Sequence, residues 1–202
     1  MKVGRFAMQC QYSMIALVLV TVCPWPALAQ GSQSHALTPQ HHQLTLDQQN
    51  KTSALLRIVR ESTERFKDVS VAEGEGYALK FGCVSGPDSG AMGLHYVNGG
   101  LLNSGVIDAT HPQIVIYEPM LGGRLRLIGA DYLVVADSWD KQHPGEPPQL
   151  MGQLFHLFEA PNRFGLPAIY TLHVWAWKEN PNGAFVNWHS NDSCAASSGQ
   201  NP

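Results

Sequence analysis

The chain of 202 residues has little of what usually gives a site away. It contains no CxxC pair, no HExxH run, no GxSxG elbow and no phosphate-cradling glycine loop. Zinc-finger, zincin, serine-hydrolase and nucleotide-phosphate chemistries therefore have no local signature here. Charge is also scarce: charged residues make up 14% of the chain, and the 13 Lys and Arg form no basic cluster. A nucleic-acid partner needs such a cluster to neutralise phosphates, so that class is excluded. No apolar run is long enough to cross a bilayer comfortably; the longest, Met14 to Val22, stops at Pro24-Trp25-Pro26.

That short run is informative in itself. Lys2 and Arg5 precede it, and Ala27-Leu28-Ala29 follows with the small-x-small pattern of a signal-peptidase site. Residues 1–29 are read as a signal peptide and 30–43 as a flexible polar lead-in. Residues 44–202 are read as one globular domain, secreted or periplasmic, with no membrane association after cleavage. Removing Lys2 and Arg5 leaves 11 Lys and Arg against 16 Asp and Glu, a mildly acidic mature chain. His41-His42 lies in the lead-in and is read as a solvated linker pair.

Of four cysteines, Cys10 and Cys23 fall in the signal segment, leaving Cys83 and Cys194. In an oxidising compartment these two most simply pair; two independent buried thiols are the alternative. A loop of that length is worth roughly 4 to 5 kcal/mol in the chain-entropy picture, before strain.

Thr45-Leu46-Asp47-Gln48 fits a capping box, and Leu55, Ile58, Val59, Ser62, Phe66 and Val69 recur at helical spacing, predicting a helix over about 46–67. Ser70 to Glu73 reads as a second capping box opening a short helix. From Tyr77 onward, strand patterns over 77–82, 91–98, 113–118, 124–136, 155–158 and 167–177 alternate with Gly, Pro and Asn clusters. The predicted class is mainly β or α+β: an antiparallel sheet or small β-barrel with the N-terminal helices packed on one side.

Splitting each strand into its two faces exposes the chemistry. In QIVIYEP, Glu118 shares a face with Ile114 and Ile116; in RLRLIGADYLVV, Asp131 shares one with Leu125, Leu127, Leu133 and Val135. In YTLHVWAW, His173 aligns with Ile169, Trp175 and Trp177, and His95 aligns with Ala91, Gly93 and Val97. A carboxylate facing a core is unfavourable by several kcal/mol unless a cation or donors compensate it. Two imidazoles and a carboxylate in one interior are a ligand set for Zn, Mn, Fe or Cu. The Pro119 to Gly123 hairpin limits that set, because Glu118 then pairs near Leu125 and Asp131 lies six residues further on. At about 3.3 Å per residue the two carboxylates are roughly 20 Å apart. His95, His173 and either Asp131 or Glu118 are the expected metal ligands, with Tyr96 or Tyr132 as a neighbouring donor. His189 is an outside candidate for a third imidazole.

The segment from about Thr63 to Cys194 resembles a family of uncharacterised secreted bacterial proteins through FGCVSGPDSGAMGLHYVN, IVIYEP, LRLIGADYLVV and PNRFGLPAIYTLHVWAWKENPNGAFVNW. That resemblance implies a shared fold and secretion. The chain is similar to cupins only loosely, in placing His and Glu on barrel strands; it lacks their HxH pair.

Three functions fit these residues. The first is an exported protein with an interior His/carboxylate metal site, acting as a hydrolase or an oxidoreductase on a small molecule. The second is a non-catalytic module in which Trp175 and Trp188 stack on a glycan or other ligand. The third is a structural protein whose buried polar groups are merely hydrogen-bonded.

Overall fold

A computed structural model describes residues 44–197. The expected signal segment, the polar lead-in and His41-His42 lie outside the described residues. Helix α1 (Leu46–Thr63) starts at the anticipated capping box, with Thr45 Oγ1 accepting from Gln48 N and Gln48 Oε1 accepting from Thr45 N. It continues as a 3₁₀ turn over Glu64–Lys67, and a short α2 (Val69–Gly74) follows. Here the expectation is corrected: the cap of α2 is Asp68, whose carboxylate accepts from Ser70 N, so the signal lay two residues upstream of Ser70.

Strands β1 (Tyr77–Gly86) and β2 (Gly90–Asn98) form a hairpin, and α3 (Gly99–Ser104) leads to β3 (Ile114–Pro119). Strand β4 (Leu125–Val135) follows, then α4 (Ala136–Gln142), the minor pair β5 (Gln149–Leu150) and β6 (Gln153–Leu154), β7 (His156–Phe158) and β8 (Ile169–Val174). All pairings are antiparallel, in the order β1-β2-β3-β4-β8-β7, and the sheet curls into a half-barrel. This is the expected α+β, mainly β class.

The sheet is buried on both faces, which is why β2 and β4 read as nearly unbroken apolar runs rather than alternations. On one face, Leu55 and Val59 of α1 pack on Ala130, Tyr132, Leu172 and Val174, while Phe66 and Ala72 pack on Leu94, Tyr96, Val115 and Tyr117. Tyr117 Oη donates to Phe66 O at 2.6 Å, tying the 3₁₀ turn down. On the other face, Val97, Ile114, Ile116, Ile128, Leu133, Ile169 and Trp175 form a separate cluster, with Phe158 and Leu166 against it.

That second face is crossed by the C-terminal segment. Ala91 and His189 exchange both backbone hydrogen bonds, and Cys83 is disulfide-bonded to Cys194, the pairing expected from the sequence. The thiols are 111 residues apart, so the bond closes most of the fold into one loop.

A bulge in β4 revises one face assignment. Ile116 pairs with Gly129 but Tyr117 pairs with Leu127, so Ile128 is the extra residue and the phase of the strand reverses there. Leu127 consequently packs on the helix side, opposite to Asp131, rather than sharing its face. Gly129 permits this because the strands approach closely: a Cβ there would lie 2.4 Å from Val174 O. Gly129→Ala is expected to lower stability by about 1–3 kcal/mol, read as a reduced denaturation midpoint. An unchanged midpoint would show that β8 yields freely at this point.

Candidate metal centre

His95 on β2, Asp131 on β4 and His173 on β8 all point from the face crossed by the C-terminal segment. Asp131 and His173 are direct cross-strand partners, while β3 separates them from His95. One ligand atom from each lies within 4.8 Å of the others, and the three residues are 7%, 3% and 3% exposed. Three polar side chains this deeply buried require partners.

The partners they have are few and directional. Nδ1 of His95 lies 3.2 Å from Gly93 O; a carbonyl only accepts, so Nδ1 carries the proton and Nε2 keeps the lone pair. Gly93 reaches this position with φ of +91°, and a Cβ on it would meet Tyr117 O at 2.6 Å. Thr171 Oγ1 donates to Asp131 Oδ1 at 2.6 Å, which leaves Oδ2 directed at His173 Nδ1, 3.3 Å away. The geometry of that approach makes no hydrogen bond, and both ring nitrogens of His173 are buried without a partner. Bonds of about 2.0–2.1 Å to one ion would hold tetrahedral ligand atoms roughly 3.3 Å apart. The Asp131–His173 contact already has that spacing, and the third ligand atom lies no more than 4.8 Å from either.

Burial sets the protonation states. It pushes the Asp131 carboxyl up to about 6 even with the Thr171 hydroxyl on it. It pushes His95 down to about 4, with the neighbouring His173 acting in the same direction, and His173 down to about 3. At neutral pH the group is thus one carboxylate with two neutral imidazoles, the forms that bind metal, and it carries a net negative charge. The group opens into a cavity of about 60 Å³ lined by Phe81, Met92, Leu133, Phe164, Leu166 and Asn187 among others, and no Lys or Arg lines it. Nothing cationic among the described residues around that cavity balances Asp131.

The structure leaves Glu118 out of the group. It lies on the same face of β3 but four residues beyond Ile114, the partner of Asp131, which is roughly 13 Å along the strand. There it pairs with Arg126 and with Lys178 Nζ at 2.7 Å, and Lys178 also reaches Asp192 at 3.1 Å. Burial works against the Glu118 charge, but Lys178, Asp192 and Arg126 hold its carboxyl below the usual range. Asp192 is displaced upward by burial and by sharing this site with Glu118.

The two tyrosines are not neighbouring donors. Tyr96 stands edge-on to Tyr117, 5.0 Å between ring centres, and Tyr132 donates to Ala109 O, both on the opposite face. Adjacent residues of a strand point to opposite sides, so the alternation that selects His95 and Asp131 excludes them. Trp175 is buried, its indole N–H donated to Val186 O, and so offers no stacking face; Trp188 is half-buried against Gly86. His189 is also spoken for, with Nε2 donating to Glu179 O and Nδ1 accepting from Asn191 N. Two residues of the site went unpredicted. Thr171 shares the face of His173 by simple alternation, whereas Asn187 lies on the irregular C-terminal segment, where no period applies.

No protein-family model matches the chain, and neither a curated protein nor a solved structure shows significant similarity to it.

Proposed function

We propose that this is an exported metalloprotein in which His95 Nε2, Asp131 Oδ2 and a ring nitrogen of His173 hold one divalent transition ion. Its enzymatic class would be a hydrolase or an oxidoreductase acting on a small molecule. The observation that carries the reading is the convergence of three buried side chains with ligating atoms, whose one negative charge no cation lining the cavity balances. Two imidazoles and a carboxylate leave coordination positions free, and here those positions face a cavity rather than more protein. Bound there, Zn would activate water, and Fe, Mn or Cu would add redox chemistry. Gly93 O and Thr171 Oγ1 supply the outer contacts that orient His95 and Asp131. The Cys83–Cys194 bond supports an oxidising compartment, hence secretion or the periplasm. The buried Trp175 disfavours the glycan-stacking reading.

The test is metal uptake by untagged protein first stripped with a chelator. We expect one equivalent of Zn²⁺, Mn²⁺, Fe²⁺ or Cu²⁺ by calorimetry and elemental analysis, and none in His173→Ala. Thr171→Val should keep the stoichiometry while weakening affinity roughly 10- to 100-fold, the usual effect of removing an outer contact. Failure to take up any of the four ions by folded protein rejects the proposal.

A further inference from the structure

The cavity beside the three candidate ligands adjoins a second, outer space, and the two share five wall residues. Phe81, Ile114, Leu133, Leu166 and Ile169 line both the inner cavity and an outer space of about 300 Å³, whose wall also includes Val97, Leu102, Val135, Pro167 and one cation, Lys80. The walls are almost wholly aliphatic or aromatic. At the seam stands Phe81, a non-glycine residue at φ of +65° in a bulge between Lys80 and Cys83, half-exposed and 5.5 Å from the ring of Phe164. A bulky residue held in the left-handed region is strained, and such strain persists where a side chain must be aimed at something. The bulge aims Phe81 into the cleft rather than along the sheet.

Polar groups at the inner end are countable. Thr171 is committed to Asp131, and His95 Nδ1 to Gly93 O. What remains, besides the three candidate ligands, is Asn187, whose Oδ1 is buried and accepts no hydrogen bond from the protein. An orphan buried acceptor is unfavourable and calls for a donor. A sugar or a phosphate would bring many polar groups to walls that cannot satisfy them. A carboxylate at the inner end would bring no donor for Asn187 Oδ1 and a second anion beside Asp131, and the cation that lines the cleft, Lys80, stands at the outer space.

We infer that the cleft binds a slender aliphatic primary alcohol, its hydroxyl donated to Asn187 Oδ1 beside the metal and its alkyl chain running outward between Leu133, Leu166 and Ile169 past Phe81. The inference rests on the metal reading above and names its substrate class. The small inner volume admits a hydroxymethyl end but not a ring, and the outer space takes the chain.

The probe is 1-hexanol, titrated into Zn²⁺-loaded protein by calorimetry, with hexanoate as the comparison. Saturable 1-hexanol binding is expected, weakened roughly ten-fold or more in Asn187→Leu, which cannot accept the hydroxyl. Leu133→Phe, which narrows the cleft and replaces none of the candidate ligands, should abolish 1-hexanol binding while Zn²⁺ uptake persists; thermal melts confirm that both variants fold. Zn²⁺ uptake without saturable 1-hexanol binding overturns this inference and leaves the metal reading standing. Hexanoate binding as tightly as 1-hexanol overturns the assignment of a neutral donor head. Absence of metal uptake in the first place removes the metal reading and this one with it.

Discussion

Asp131→Asn is expected to stabilise the metal-free protein at pH 7 by about 3 kcal/mol while abolishing metal uptake. The sign follows from the direction of the shift. An unfolded Asp titrates near 3.8, and burial raises Asp131 to about 6. The folded state therefore holds a proton that the unfolded state has already released, and wild-type stability falls as pH rises through that interval. Above about pH 6 the full penalty of a buried, unbalanced carboxylate is present. Asn has nearly the same shape, can still accept from Thr171 Oγ1, and carries no charge to desolvate. The gap between variant and wild type should open between about pH 4 and 6 and stay constant above. Denaturation at pH 4 and pH 7, each after chelation, measures it. Saturating metal should then reverse the order, because only the wild type gains the binding free energy. A purely structural carboxylate behaves oppositely: its replacement by Asn destabilises at pH 7, and that result would exclude a ligand role for Asp131.

Why Asp131 was visible in the sequence, and Asn187 was not, comes down to periodicity. His95, Asp131 and His173 sit in long strands where period two assigns each side chain a face, and a polar residue on an apolar face stands out. Counting across the Pro119–Gly123 hairpin also separated Glu118 from Asp131 but overstated the gap, since Glu118 pairs with Arg126 and the Ile128 bulge leaves Glu118 only four residues along β3 from Ile114, the partner of Asp131. What alternation cannot supply is register. Nothing in the sequence places Asp131 directly opposite His173, or shows that Ile128 is the bulged residue that reverses the face of Leu127. Two-sided burial of the sheet also hid the contrast between faces, so Tyr96 and Tyr132 looked available although they pack under the helices. The Lys178 ion pair of Glu118 was invisible for a different reason: Lys178 belongs to irregular chain whose path is set by tertiary contacts.

Replacing both Cys83 and Cys194 by Ser should produce the largest loss of stability, yet leave metal uptake intact. In the chain-entropy account, freeing a loop of 111 residues relaxes the unfolded chain by about 5 kcal/mol, a large share of a typical domain's stability. Chemical denaturation should show a lower midpoint and a steeper slope, the latter because the unfolded state is no longer cross-linked. The local consequence is confined to the C-terminal segment, which otherwise holds to β2 through the paired Ala91 and His189 backbone bonds. Hydrogen exchange at those two amides should accelerate more than at Leu172 or Val174 in the buried β8. All three proposed ligands lie on β2, β4 and β8, none on the freed segment, so the variant should still bind one equivalent of metal at low temperature. Asn187, in contrast, rides on that segment, and 1-hexanol affinity should fall with its loosening. Metal uptake lost together with the disulfide in protein that remains folded would mean that the C-terminal segment, and not the sheet alone, positions the ligands.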